Sequence, residues 1–116
     1  MKQIIPTEEQ DQIALVEYLE LQNIKFSSVP NSTYTKSFNQ KRKNTANGLR
    51  KGLPDLLLII KNRLVFIEMK RLKGGVIGKE QKEWNEELNK CTGVKAFICK
   101  GFEEAKEVVD NFLKKP

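Results

Sequence analysis

Apolar positions at helical spacing open the chain. Leu15, Val16 and Leu19 follow a Thr7-x-x-Gln10 capping box, and together they predict a helix over residues 8–22. Residues 24–29 then read as a short strand stopped by Pro30. Beyond a long polar stretch, Gly52-Leu53-Pro54 breaks the chain ahead of residues 55–60, a leucine- and isoleucine-rich run expected to be a strand buried on both faces. Lys61-Asn62 fits a turn, residues 64–70 form a second strand of this pair, and Lys73-Gly74-Gly75 opens a loop ending near Gly78. Gln81, Trp84, Leu88 and Cys91 share one face of a helix over residues 79–91, which Gly93 closes. A further core strand covers residues 94–99. Phe102, Ala105, Val108, Val109 and Phe112 define a last amphipathic helix whose Lys114-Lys115 tail suits its C-terminal dipole. The order is α-β, polar segment, β-β-α-β-α. With 116 residues, 39% of them hydrophobic, one domain over residues 1–116 with a shallow site is expected.

The strand pair has a chemical consequence. If Lys61-Asn62 is a two-residue hairpin turn, Ile60 pairs with Arg63 and Asp55 falls opposite Glu68. Lys70 shares that face, and Leu57, Ile59, Leu64 and Phe66 continue it as expected apolar core. Two carboxylates so placed repel unless a cation lies between them, and oxygen ligands of this kind suit Mg²⁺ or Mn²⁺. Beside such an ion Lys70 could hold an attacking water or stabilise charge growing on a phosphate; the same trio would equally serve as an ion pair of Lys70 with Asp55 or Glu68. Glu8 lies in the stripe of Gln12, Leu15 and Leu19 and should face inward. Gln81 begins the inward stripe of its own helix, where its amide could reach a metal-bound water or a phosphate.

Charge is concentrated in one place. Residues 32–51 hold Lys36, Lys41, Arg42, Lys43, Arg50 and Lys51 and no acid, leaving 15 of the 21 Lys and Arg to balance 15 Asp and Glu, so the whole net charge of +6 sits in this segment. Interleaved Asn, Ser and Thr can hydrogen-bond phosphate oxygens, and Tyr34 and Phe38 can stack on sugars or bases. The segment reads as a DNA-contacting loop or, more blandly, a solvated surface loop. Histidine is absent, which excludes Ser/His/Asp triads and imidazole metal sites. Cys91 and Cys99 match no disulfide framework and suit a reducing, cytoplasmic compartment; no apolar run is long enough to span a membrane, and no targeting signal is visible.

Gly52-Leu53-Pro54-Asp55, twelve intervening residues, then Glu68-Met69-Lys70 resembles the PD-(D/E)XK nuclease signature. The wider ordering, with Thr7-Glu8 and Gln12 in the opening helix, Val29-Pro30-Asn31 after the first strand, Gly74, and Gln81 with Trp84 and Leu88, is similar to the virus-type replication-repair nuclease (VRR-NUC) domain over roughly residues 8–96. The resemblance implies an α/β restriction-endonuclease-like core, a mixed sheet flanked by helices. It implies a metal-dependent nuclease of the stand-alone phage and bacterial type, cleaving branched DNA such as Holliday junctions in DNA repair, with Mg²⁺ as cofactor. Asp55, Glu68 and the Met69 carbonyl would be metal ligands, Lys70 the catalytic lysine, Glu8 a further acid that joins Asp55 and Glu68 in holding one or two ions, and Gln81 the helix glutamine. Family members often carry a histidine just before the Pro-Asn pair, where Ser28 stands near that place here. Flaps or forks are alternative substrates, and a non-catalytic nucleic-acid-binding module is the alternative function. A restriction-type enzyme would need a sequence-reading element, and no recognition helix is visible. Two cuts in a symmetric junction call for a homodimer, with Phe112 a candidate interface residue.

Overall fold

The computed structural model describes residues 4–30 and 37–116. Its elements are α1 (Glu8–Leu21), β1 (Lys25–Ser28), α2 (Phe38–Ala46), β2 (Leu56–Ile60), β3 (Arg63–Lys70), α3 (Lys79–Asn89), β4 (Val94–Lys100) and α4 (Gly101–Lys114). The strands form one sheet in the order β1-β2-β3-β4, antiparallel except for the parallel pair β3 and β4, which α3 connects. This is the mixed α/β architecture expected from the sequence.

One face of the sheet carries the core. Leu56, Leu58, Ile60, Val65, Ile67, Met69 and Cys99 point to it, and Leu15 and Leu19 of α1 with Ala105, Val109 and Phe112 of α4 cover it. The capping box at the start of α1 forms as expected: Thr7 accepts from the Gln10 N–H at 3.1 Å, and the Gln10 side chain accepts from the Thr7 N–H at 2.9 Å. Phe112 is only 3% exposed and packs edge-to-face on Phe97, so it belongs to the core and not to a protomer interface.

The reverse face is thinly covered, and here two expectations fail. β2 is buried on one side only: Ile59 is 47% exposed and Leu57 half-buried, because α3 packs on β4 and leaves the β2 side open. Leu57, Ile59 and Leu64 therefore line a lightly covered surface, whereas Phe66, 7% exposed, is buried as expected; the main core is the opposite row. The outer edge of β4 is closed differently. Asn89 of α3 accepts from the Ala96 N–H at 2.8 Å and donates to its carbonyl at 2.9 Å, standing in for a missing strand.

The polar segment is not all loop. Ser37 caps α2 by accepting from the Gln40 N–H at 3.2 Å, and no residue of this helix is buried. Lys36, Asn31 and Tyr34 lie outside the described residues.

Candidate active site

The hairpin builds the site. Lys61 and Asn62 both adopt positive φ, 49° and 67°, as a two-residue turn of the primed type requires, and Ile60 pairs with Arg63. Continuing the register from Leu56 opposite Ile67 puts Asp55 opposite Glu68 at the far end. Asp55 stands one residue ahead of β2. Its carbonyl accepts from the Val29 N–H at 2.8 Å, and its Oδ2 accepts from the Met69 N–H at 2.8 Å, so the side chain replaces the next rung of the ladder. Because the N–H and C=O of one strand residue point to the same edge, the Met69 carbonyl also faces the Asp55 side.

Glu68 is 5% and Lys70 9% exposed, on the same face by alternation. Burial, reinforced by Asp55, pushes the Glu68 carboxyl up to about 8; Lys70 opposes the shift. Burial also raises Asp55, against the Met69 N–H and Lys70. Among the described residues no ion pair joins Lys70 to either acid, so the sequence alternative of a simple salt bridge is not what these residues form.

Gln81 touches one of the acids directly. Its Oε1 accepts from the Gly78 N–H at 2.8 Å, which fixes the amide, and its Nε2 then donates to Glu68 Oε1 at 2.8 Å, so it orients that carboxyl. Glu8 is also displaced from expectation. The buried stripe of α1 runs through Asp11, Leu15 and Leu19, while Glu8, in the first turn, overhangs the core and is exposed. It still feels the site: desolvation and then Asp55 raise its pKa, and Lys70 opposes.

The donor set has the chemistry of a divalent-ion site. Glu68 Oε2 is buried without a partner among the described residues, and two acids held in mutual repulsion are what a hard cation would relieve. Asp55, Glu68 and the Met69 carbonyl fit that role. No three Asp, Glu, His or Cys side chains among the described residues stand close enough to share one ion, which leaves Glu8 outside the inner set.

Helix α3 links this site to the basic segment. Gly52 has φ +103°, and a Cβ there would lie 2.6 Å from the Glu80 backbone carbon, so only glycine lets the chain run so close to α3. One step before it, the Lys51 carbonyl accepts from Trp84 Nε1 at 3.2 Å. Lys41, Arg42 and Lys43 are exposed on α2. Arg50 is partly spent on structure, donating to the Thr45 and Leu49 carbonyls, both at 3.1 Å. Two features went unread in the sequence. Ser37-x-x-Gln40 is a helix-start signature inside the supposed loop, and Asp11, only 6% exposed, occupies a position in α1 that the apolar pattern does not mark.

A mixed sheet with helices on both faces and an Asp, Glu and Lys meeting at the end of a hairpin is the arrangement of PD-(D/E)XK nucleases. A VRR-NUC domain profile matches residues 6–103, and the chain belongs to this family. Its fold is similar to that of a solved "VRR_NUC domain protein", with a TM-score of 0.77 at 24% identity over 98% of this chain and 92% of that one. No curated protein matches. Membership makes this a nuclease-type, DNA-binding domain, and no helix among the described residues is long and apolar enough to cross a membrane.

Proposed function

We propose that the chain is a Mg²⁺- or Mn²⁺-dependent endonuclease that hydrolyses phosphodiester bonds in branched DNA, Holliday junctions foremost, as a homodimer in the cytoplasm. The observation that carries the reading is the grouping of half-buried Asp55 with buried Glu68 and Lys70, with one Glu68 oxygen held by Gln81 and the other unpartnered among the described residues. Asp55, Glu68 and the Met69 carbonyl would hold the ion, which when bound lowers the pKa of water and neutralises an attacked phosphate.

The remaining work falls to this chain's own groups. To hold the ion Glu68 would release its carboxyl proton to solvent, and Gln81 keeps the resulting carboxylate turned to the site. Lys70, nearly buried and unpaired with either acid, steadies charge growing on the phosphate oxygens. Glu8 adds negative charge at the mouth, and Lys41, Arg42 and Lys43 hold the DNA backbone.

The test is a Mg²⁺-dependent cleavage panel of single-stranded, duplex, flap and four-way DNA. Asp55→Ala and Lys70→Ala should each lower cleavage by about 10³-fold while binding persists. Variants that cut as well as the parent would overturn the assignment of these residues, a parent that binds DNA without cutting it would leave the DNA-binding module as the correct reading, and faster cutting of flaps than of four-way DNA would reassign the substrate.

A further inference from the structure

Phe38 is the first residue of α2 and is 72% exposed. Apart from Ala46, every other residue of that helix is polar, none is buried, and α2 has no extensive packing against another described element. A large aromatic ring in such surroundings forgoes the burial that ordinarily accounts for its presence. Its one neighbour of note is Arg42, a turn further on, whose guanidinium carbon lies 5.9 Å from the ring centroid. Lys41 and Lys43 flank Arg42, and no acid occurs from residue 31 to residue 51.

We infer that Phe38, with Arg42 over its ring, is a stacking platform for a nucleobase that has left its stack, the kind exposed where the strands of branched DNA part. The inference rests on the nuclease reading and adds to it the origin of branch preference. A flat apolar ring among cations complements a polymer that alternates anionic phosphates with aromatic faces. In an intact duplex those faces are hidden by their neighbours, so the ring has nothing to meet, whereas a branch or an unpaired end presents one. A lipid surface is the less suitable partner, because a helix lying on a bilayer needs an apolar stripe and α2 has only this ring and Ala46. The lysines thus grip any DNA and Phe38 selects the branched form.

Affinity of the full chain is measured in chelator, so that nothing is cut, for a four-way junction, a fully paired duplex of equal length, and anionic phosphatidylserine vesicles. Phe38→Ala should weaken junction binding about tenfold and duplex binding less than twofold. Phe38→Trp should retain the preference, with indole emission quenched by the junction and not by the duplex. Equal weakening on both DNAs, or none, overturns the stacking role while leaving the nuclease reading intact. Phe38-dependent binding to vesicles with no preference among DNAs also overturns it. A parent chain that binds neither DNA defeats both readings together.

Discussion

The end of the β2–β3 hairpin and helix α2 are opposite solutions to presenting charge. At the hairpin, each polar group is located by backbone: Asp55 by the Met69 and Val29 N–H groups, Glu68 by strand register and by Gln81, and Gln81 by the Gly78 N–H. Glu68 and Lys70 are shielded from water and Asp55 partly so, where interactions are strong and misplacement costly. On α2 the cations are exposed and no residue of the helix is buried. The first region fixes its polar groups through specific backbone and side-chain hydrogen bonds, as the proposed chemistry requires. The second holds charge near a polymer, a task tolerant of position and paid in salt dependence. Substitutions should therefore act sharply in one region and gradually in the other.

The largest expected effect on the folded protein itself comes from Glu68. Folded, it keeps its proton up to about 8; unfolded, it loses it near 4.5. Between those values the folded state binds more protons, so stability of the metal-free protein falls as pH rises through this window and levels off above it, by up to about 4 kcal/mol. Thermal unfolding in chelator should show the midpoint descending by roughly 10 °C or more from pH 5 to pH 8. Glu68→Gln should remove most of that slope and exceed the parent in stability at pH 8, while abolishing cleavage. Parallel pH curves for the two proteins would mean that Glu68 does not carry the strain ascribed to it.

The joint between the two regions should respond next. Gly52→Ala places a methyl group 2.6 Å from the Glu80 backbone carbon at a φ of +103°. Strain and overpacking together predict a loss of about 2–4 kcal/mol, read by urea denaturation. Since α3 also carries Gln81, the surviving folded protein should need more Mg²⁺ for half-maximal cleavage. A variant as stable as the parent would show that the close approach of residue 52 to α3 is dispensable.

How much of this could be read in advance follows the same division. Asp55 opposite Glu68 was legible because strand periodicity and a two-residue turn leave few registers, and the structure has that register. Glu8 was placed correctly by direction and wrongly by depth: periodicity tells which way a side chain points, not where the neighbouring sheet stops. The same gap explains β2, whose apolar run gave no sign that α3 leaves half the reverse face uncovered. Gln81 was found as a residue but not as a contact, since the Gly78 N–H that turns its amide depends on loop geometry. Helix α2 escaped because it has no apolar stripe; its only signals are Ser37 at the start and Arg50 folding back on the last-turn carbonyl of Thr45.

The smallest effects belong to Lys41 and Lys43, and their character matters more than their size. Both are exposed, neither supports packing, and each can release about one counterion on meeting a phosphate. Replacing both with alanine should lower the slope of log Kd against log salt concentration by about 2, weaken every DNA tested to a similar degree, and leave the melting midpoint within about a degree of the parent. Discrimination between junction and duplex should persist, because the ring at position 38 is unchanged. If the double variant instead loses discrimination at constant salt slope, the lysines are reading shape and the division of labour along α2 is reversed.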